Sequence, residues 1–506
     1  MTEKFILSID QGTTGTKVLL INKNAEIIES VYKTHSQSYP QPGWIEHQPE
    51  EIWNSIKKAV EEALEISGIK GHQIVNVGIA NQGETCLIWE KISGTPLYPA
   101  IVWSCLRTEN IVNEWKRDGQ WERKVYDKTG LNIDSYFSAT KFKWLIDNVS
   151  DVNEKLSKGQ AVCGTLDSWL ISKMTKDNKY FTDVSTASRT MLYNIHTGSW
   201  DEEILNYLGI ELENMPKLLD TVDDFGMTDP GAFCGIQAPV SVSLVDQPAA
   251  LYGHKCLNTG DVKATYGTGS FIYMNVGNEP KLDYQSSLLS SVTWKKDGQT
   301  TYSLDGTVYS AGSAIDWGKN GLDLYSTIEE LQEWSQRWYQ EMNFDSEVTF
   351  IPALSGLGTP YWNSEARGVF LGMTAKTNKE DMAKAILEGV AHRVADVVHA
   401  FEKETAIKIE YLNVDGKLTQ NPYIMQYQAN LLGIPVKVNK TVETTGKGVG
   451  YLLGEAIGWW QTKELLKMDD NEKTIYKPQV TPQHRNILRN RWEKVTHAID
   501  SLYQDL

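Results

Sequence analysis

Short apolar runs separated by polar turns dominate the N-terminal part of the chain. Between them lies one helix-like segment in which apolar residues recur at Ile52, Ile56 and Val60, with charged residues on the opposite face. Pro49 favours the start of that helix and Gly68 its end. The pattern predicts an α/β layer of three antiparallel strands, a helix and a further strand, in which the strands are Lys4 to Ile9, Lys17 to Ile21, Glu26 to Thr34 and Ile74 to Ile79.

A second segment further along the chain repeats the opening arrangement. Strand-like runs between Val262 and Asn275 flank Gly267 to Gly269, and an apolar helical face follows from Lys379 to Phe401. The repetition predicts two domains of similar topology that each present a Gly/Thr hairpin to a shared cleft. We place them at residues 1–252 and 253–506.

The first turn, within Ser8 to Lys17, has the residues that a phosphate-binding hairpin needs. Gly12 and Gly15 permit a tight turn, and its backbone N–H groups and threonine hydroxyls can face a phosphate. Asp10 ends the first strand, where a metal-bound phosphate needs a carboxylate. An ordinary turn between two strands is the alternative interpretation.

Composition restricts the partners of the chain. The 506 residues carry a formal net charge of -16 and contain no run of Lys and Arg, which argues against nucleic-acid binding. Five dispersed cysteines indicate neither a disulfide framework nor a zinc site. With no signal-like or membrane-length apolar segment in the sequence, we expect a cytoplasmic protein without a membrane partner.

Several blocks of the sequence are similar to those of one enzyme family. Tyr136 to Asn148 and Gly368 to Glu388 resemble its two signatures, and Ser8 to Lys17, Thr186 to Thr197 and Thr265 to Phe271 resemble further blocks. On these residues the chain is identified as a member of the FGGY family of carbohydrate kinases, in which it resembles the glycerol kinases. The resemblance implies two actin-like (ribonuclease H-like) domains around an active-site cleft. It also implies phosphoryl transfer from ATP, with Mg²⁺, to a hydroxyl of a polyol or sugar.

The resemblance also assigns roles to single residues. Asp246 would be the catalytic base, with an ordinary turn before a helix as the alternative, and Asp10 and Asp246 would bind the metal. The residues that would line the acceptor pocket are Gly83, Glu84, Trp103, Tyr136, Asp246, Gln247 and Phe271. Those that would bind the phosphate donor are Thr13, Thr14, Lys17, Gly267, Thr268, Gly312, Asp316, Gly416, Lys417 and Asn421.

The acceptor pocket departs from the family pattern at Gly83. Glycerol kinases carry Arg before the pocket glutamate, whereas this chain has Gly83. The change removes several hydrogen-bond donors to a substrate hydroxyl, and the vacated volume could admit a longer substrate. We therefore expect a larger polyol or a ketose to be a better acceptor than glycerol, with an ATP-dependent glycerol kinase as the alternative.

The donor side departs from the pattern as well. Lys417 stands where the family has Gly, Lys447 lies in an altered segment, and Asp316 stands where Gln is common. The lysines either add charge to an ATP site, or Lys417 obstructs the nucleoside and favours a smaller donor such as pyrophosphate.

A protein of another class is the remaining alternative, namely a non-catalytic paralogue that binds a polyol or a nucleotide. The presence of Asp10, Thr13, Thr268 and Asp246 together argues against it, since a silent site need not keep its acids. By analogy with glycerol kinases we expect a homo-oligomer, either a dimer or a tetramer.

Overall fold

A computed structural model describes residues 3–175, 179–342, 344, 346–439, 443–467 and 473–504. The strands are β1 Phe5–Gln11, β2 Gly15–Asn22, β3 Ile27–Thr34, β4 Glu46–His47, β5 Ile74–Asn81, β6 Cys86–Glu90, β7 Ala100–Ile101, β8 Ala161–Thr165, β9 Phe181–Asp183, β10 Tyr193–Asn194, β11 Ser199–Trp200, β12 Lys217–Leu219, β13 Val240–Val245, β14 Val262–Tyr266, β15 Ser270–Gly277, β16 Leu289–Lys296, β17 Gln299–Val308, β18 Thr349–Ile351, β19 Val369–Leu371, β20 Leu412–Asp415, β21 Val436–Asn439 and β22 Lys473–Tyr476. The α-helices are α1 Pro49–Ser67, α2 Glu109–Lys116, α3 Gly119–Thr129, α4 Ser138–Asn148, α5 Val152–Ser157, α6 Leu166–Met174, α7 Val184–Ala187, α8 Glu202–Leu208, α9 Asp246–Gly253, α10 Gly312–Asn320, α11 Ile328–Gln340, α12 Lys379–Thr405, α13 Pro422–Leu432, α14 Thr444–Ala456, α15 Thr462–Leu465 and α16 Pro482–Gln504.

The N-terminal half is built on a five-stranded sheet with the order β13-β5-β1-β2-β3. β1 pairs antiparallel with β2 and parallel with β5, and β13 pairs parallel with β5. The carboxyl ends of β1, β5 and β13 therefore meet at one edge of the sheet, which is where open α/β sheets bind ligands. Asp10, the loop after β5 and Asp246 all lie at this edge.

The C-terminal half repeats this pairing within a seven-stranded sheet, β16-β17-β15-β14-β20-β21-β22. β14 pairs antiparallel with β15 and parallel with β20. β15 in turn pairs antiparallel with β17, and β20 pairs parallel with β21. The core β17-β15-β14-β20-β21 thus has the strand order and directions of β3-β2-β1-β5-β13. The predicted duplicated α/β topology is confirmed, with β16 and β22 added at the two edges.

Helix α1 forms as its sequence pattern predicts. Its buried side chains include Ile52, Ile56 and Val60 at helical spacing, and they pack on the N-terminal sheet. Pro49 is its first residue, and Gly68 ends it in the left-handed conformation with φ of 71°. No helix of the described residues is long and apolar enough to cross a membrane.

The two halves meet where α14 packs against α9 and the N-terminal sheet. A Cβ atom on Gly448 would lie 1.8 Å from the carbonyl oxygen of Ala249, and one on Gly253 would lie 2.0 Å from that of Thr444. Only glycine permits helices to approach this closely. The altered segment around Lys447, which was predicted to lie on the donor side, contains Gly448 and is therefore also a helix-packing element.

Candidate active site

The first hairpin turn is held by the backbone and by two ring systems. The Gly12 N–H donates to the carbonyl of Gly15 at 3.0 Å, and His35 Nε2 donates to the carbonyl of Thr13 at 3.1 Å. A Cβ on Gly15 would lie 2.5 Å from the carbonyl oxygen of Lys33, so no other residue fits there. The hydroxyl of Thr14 lies 3.1 Å from that of Tyr32. The turn is thus a preformed loop at the carboxyl end of β1.

The second hairpin turn is held by the start of α10. The carbonyl of Thr268 accepts hydrogen bonds from the N–H groups of Ala311 and Ser313, each at 3.0 Å, and the Gly312 N–H donates to the carbonyl of Gly267 at 2.9 Å. Gly312 was predicted to bind the donor. In the structure its N–H supports the hairpin that would hold the phosphate.

Two predicted acids, Asp10 and Asp246, influence each other's charge between the hairpins. Burial and then the charge of Asp246 raise the pKa of Asp10 to about 7, with Lys17 opposing the shift. Burial and then the charge of Glu84 raise the pKa of Asp246 to about 6, with Lys263 opposing it. The structure therefore brings the predicted base and the predicted metal ligand into one electrostatic cluster, which continues into the acceptor pocket through Glu84.

Lys263 was not predicted, yet it is fully buried beside Asp246. Its Nζ donates to the hydroxyl of Thr265 at 3.0 Å and to Oε1 of Gln247. Burial lowers the pKa of Lys263 to about 8, against the charges of Asp415 and Asp246. Lys263 is thus a buried cation that faces acids from both halves of the chain.

Three aromatic rings form the predicted wall of the acceptor pocket. Trp103 meets Tyr136 with ring centroids 5.6 Å apart and Phe271 with centroids 5.8 Å apart, both edge to face. Trp103 Nε1 donates to the hydroxyl of Thr13 at 2.9 Å. The predicted acceptor wall therefore contacts the first hairpin directly.

A buried arginine, also missed by the sequence analysis, organises the polar side of this pocket. Arg189 donates from Nε to Glu84 Oε1 at 2.7 Å and from Nη1 to Asp305 Oδ1 at 2.9 Å. Its guanidinium lies 5.4 Å from the ring centroid of Tyr136 and 5.3 Å from that of Phe137. Its position in a family-like block, Thr186 to Thr197, was the only signal in the sequence.

Gly83 lies directly against the end of β13. A Cβ at this position would come within 2.9 Å of both methyl carbons of Val245 and within 3.5 Å of Cγ of Arg189. The space next to the Cα of residue 83 is therefore occupied by neighbouring side chains.

Two of the predicted donor-site residues, Gly416 and Asn421, lie between β20 and α13. Gly416 has φ of 96°, and a Cβ there would lie 2.3 Å from the carbonyl oxygen of Tyr266, so glycine is required. Asn421 caps α13, accepting from the N–H groups of Tyr423 and Ile424 at 3.0 and 3.2 Å. Its side-chain oxygen thus has a structural role in the protein.

The charged donor-site residues differ in their surroundings. Lys17 forms an ion pair of 2.9 Å with Glu443 just before α14. Asp316 on α10 and Lys417 after β20 are exposed, whereas Lys447 on α14 is half-buried. The structure therefore places Lys447 in the interface between the halves and Lys417 on a solvent-facing turn.

The acids fit a Mg²⁺ that is shared with a substrate. Among the described residues no group of three or more His, Cys, Asp or Glu is arranged to hold a metal. Mg²⁺, however, is commonly bound by one or two carboxylates together with substrate phosphates and water. Asp10 and Asp246, whose pKa values are raised by burial and neighbouring acids, provide two carboxylates of this kind.

A duplicated actin-like core with a Gly/Thr hairpin in each half defines a two-domain phosphotransferase. Comparison with known proteins gives the family. The N- and C-terminal domains of the FGGY family of carbohydrate kinases match residues 5–253 and 262–457. The chain is 40% identical over 496 residues to a glycerol kinase of Streptococcus pneumoniae serotype 19F, covering 98% of both chains. The chain belongs to the FGGY family of carbohydrate kinases.

Solved structures agree with this family assignment. A glycerol kinase of Plasmodium falciparum with ADP aligns with a TM-score of 0.91 at 30% identity and covers 98% of each chain. A gluconate kinase of Lactobacillus acidophilus aligns over 100% of each chain with a TM-score of 0.86 at 23% identity, which is a likeness of fold. The predicted family, fold class and alcohol phosphotransferase activity are confirmed. The domain boundary at residue 252 and the roles of single residues stay predictions.

Proposed function

We propose that this enzyme transfers the terminal phosphoryl group of ATP to a terminal hydroxyl of a small polyol or sugar, with Asp246 as the general base. The observation that carries the proposal is the position of Asp246 between Glu84 of the acceptor pocket and Asp10 of the first hairpin, whose charges both interact with it. A base with a pKa of about 6 is ionised at neutral pH and can accept the hydroxyl proton.

The remaining groups support the same reaction. The aromatic wall of Trp103, Tyr136 and Phe271 would hold the carbon chain, and Glu84 would accept a hydrogen bond from a hydroxyl. The two hairpins would hold the transferred phosphate. Mg²⁺, held by Asp10 and Asp246, would neutralise charge on the phosphates.

We propose a polyol longer than glycerol, or a ketose, as the preferred acceptor. Gly83 supplies no side-chain donor to the pocket, so a substrate hydroxyl there must find another partner. Glycerol itself is the second candidate, supported by the identity to glycerol kinases over nearly the whole chain.

ATP is the proposed donor because a relative of the same family is known in complex with ADP. A smaller donor such as pyrophosphate is the alternative, in which Lys417 would obstruct the nucleoside. The side chain of Lys417 is exposed rather than packed into the turn. The donor is therefore part of the test.

An activity matrix tests the proposal. Glycerol, a tetritol, a pentitol and a ketose are each combined with ATP, ADP, GTP and pyrophosphate in the presence of Mg²⁺. We expect ATP-dependent turnover that is highest with an acceptor longer than glycerol. Highest turnover with glycerol would overturn the acceptor assignment, and turnover with pyrophosphate alone would overturn the donor assignment.

A substitution tests the assigned base. Asp246→Asn should lower kcat by about 10²- to 10⁴-fold while acceptor binding persists. Asp167→Asn is the matched control, because Asp167 is also a buried acid but accepts hydrogen bonds from Thr165 and Thr182, away from the hairpins. Unchanged turnover in Asp246→Asn would refute the role, and no turnover of the unaltered enzyme with any pair would favour a non-catalytic paralogue.

A further inference from the structure

Glu84 of the predicted acceptor pocket belongs to an ion-pair cluster, Arg189, Glu84 and Asp305, that connects the two halves of the chain. Arg189, in the loop after α7, bonds to Glu84 in the loop after β5 and to Asp305 on β17 of the C-terminal sheet. The side chains of Arg189, Glu84 and Asp305 are 1%, 6% and 2% exposed. The ion-pair cluster is therefore buried where the two sheets meet.

The geometry leaves one oxygen of Glu84 available to a ligand. Oε1 accepts from Arg189 Nε at 2.7 Å, and within the part of the chain that the structure describes no hydrogen bond reaches Oε2. This unpaired oxygen is not fully enclosed by protein atoms, so it borders open space. A carboxylate fixed through one oxygen presents the other in a defined direction.

The hydrogen bonding of Arg189 is incomplete, which argues against a role in stability alone. Its Nη2 is buried without a hydrogen-bond partner among the described residues. Unpaired buried N–H donors destabilise a fold, and an ion pair that is buried in this way is weak evidence for a stabilising role. A functional role of the cluster accounts for this arrangement.

We infer that Arg189 is a positioning residue, anchored by Asp305 of the C-terminal half, which orients Glu84 so that its free oxygen accepts a hydrogen bond from an acceptor hydroxyl. The inference rests on the proposed function and deepens it. Acceptor recognition in the N-terminal half would thereby depend on a residue of the C-terminal sheet.

The charges also restrict the acceptor. One guanidinium is shared by two carboxylates, Glu84 and Asp305, and Asp246 adds a third acid near Glu84. Lys263 and Lys141 oppose these acids, but both ammonium groups already donate to protein oxygens. A substrate carboxylate at this end would therefore face more acids than available cations. The ion-pair cluster therefore favours binding of an uncharged polyol or ketose over binding of a sugar acid.

Arg189→Lys tests the inference with the least loss of charge. Lysine keeps one cation but lacks the planar fork that reaches both carboxylates. We expect the KM of the acceptor to rise about 10- to 100-fold with the KM of ATP changed less than about twofold. Asp305→Asn, which keeps the shape of the anchor, should change the acceptor KM in the same direction by about 3- to 10-fold.

A double-variant cycle shows whether Arg189 acts through Glu84. In a Glu84→Gln background, Arg189→Lys should add less than about twofold to the acceptor KM. Arg393→Lys is the matched control, because Arg393 is also 1% exposed and paired with an aspartate, Asp396, away from the pocket. It should change thermal stability without changing the acceptor KM.

Binding measurements separate this inference from the proposed function. Calorimetric titration of the polyol or ketose without a donor reports acceptor affinity even if no phosphoryl transfer occurs. Equal and additive losses in Arg189→Lys and Glu84→Gln, equal changes in the KM of ATP and acceptor, or tighter binding of an aldonate than of the corresponding polyol would overturn the inference. Absence of transfer with intact, Arg189-dependent acceptor binding would instead count against the proposed function alone.

Discussion

The indole N–H of Trp103 donates to the hydroxyl of Thr13 at 2.9 Å, which joins the predicted acceptor wall to the first hairpin. A hydroxyl that accepts from an indole must direct its own proton elsewhere. In the proposed function, that proton would be donated to the transferred phosphate. The same contact fixes the position of the ring that would face the acceptor.

Trp103→Phe should retain the aromatic wall and lose this orientation of Thr13. We expect kcat/KM for the acceptor to fall about 5- to 20-fold, because a single hydrogen bond is lost while most of the ring contacts remain. Steady-state kinetics measure it. Trp169→Phe is the control, since Trp169 Nε1 donates to the carbonyl of Gly94 at 2.9 Å outside the pocket; a similar kinetic loss there would contradict the special role of Trp103.

The activity should depend on the ionisation of Asp246. Because burial raises the pKa of this carboxyl to about 6, the base is protonated in mildly acidic solution. Because this pKa belongs to the ligand-free protein, we expect kcat/KM for the acceptor to be level above pH about 8 and to fall as Asp10 and then Asp246 become protonated near pH 7 and 6. A rate that stays constant down to pH about 4.5 would show that Asp246 does not act as the base.

Asp10 should lower the stability of the free enzyme at high pH. Its pKa of about 7 in the folded protein exceeds the ordinary value of 3.8, so the folded state holds the proton more tightly than the unfolded state. The folded protein therefore loses stability from this group as pH rises from about 4 to 7. Since the side chain keeps some exposure, we expect Asp10→Asn to raise the free energy of unfolding at pH 8 by about 1–3 kcal/mol.

Denaturant unfolding at pH 5 and pH 8 measures this effect. The difference between Asp10→Asn and the unaltered protein should shrink at pH 5, where Asp10 is protonated in the folded state. The variant should also lose phosphoryl transfer, because the proposed Mg²⁺ ligand is gone. Equal stability of the two proteins at pH 8 would show that burial and the acidic neighbours do not destabilise the charged form of Asp10.

Gly83 and Val245 should be energetically coupled. Gly83→Ala places a Cβ within 2.9 Å of the Val245 methyl carbons and should destabilise the fold by about 1–3 kcal/mol. Val245→Ala in the same chain should recover at least about 1 kcal/mol of that loss. Chemical denaturation of both single variants and the double variant gives the coupling, and strictly additive losses would contradict the contact.

The same pair should control the choice of acceptor. Gly83→Arg combined with Val245→Gly restores the family's arginine and makes space for its stem, so relative kcat/KM should shift toward glycerol. Gly83→Arg alone is the comparison, because its stem meets Val245. An unchanged acceptor preference in the double variant would show that position 83 does not set specificity.

The close approach of α14 to α9 should depend on Gly448. Gly448→Ala would place a Cβ 1.8 Å from the Ala249 carbonyl oxygen, and separating the helices should cost more than about 3 kcal/mol of stability. Gly119→Ala is the matched control, because nothing lies within 4 Å of a Cβ there. Thermal unfolding compares the two, and similar stability of both variants would contradict the packing role.

The order of the elements and the chemistry of the two turns could be predicted from the sequence. Alternation and helical spacing are local, so β1, β2, β3 and α1 formed close to their predicted bounds. The repeat of the Gly/Thr hairpin predicted the duplicated sheet order because each half must bury the same apolar pattern. Asp10 lies in one of the family blocks, Ser8 to Lys17, and the role of Asp246 came from the family resemblance.

Only the tertiary structure decided the partners of the charged side chains. Arg189 is 116 residues from Asp305 and 105 from Glu84 along the chain, so no local pattern links them. Lys263 sits within a strand pattern, and its burial beside Asp246 results from the meeting of two sheets. The segment around Lys447 was predicted from its sequence to lie on the donor side, whereas the steric requirement for Gly448 became visible only in the packing of α14 against α9. Sequence periodicity determines which face of an element is buried, whereas long-range packing determines what that face meets.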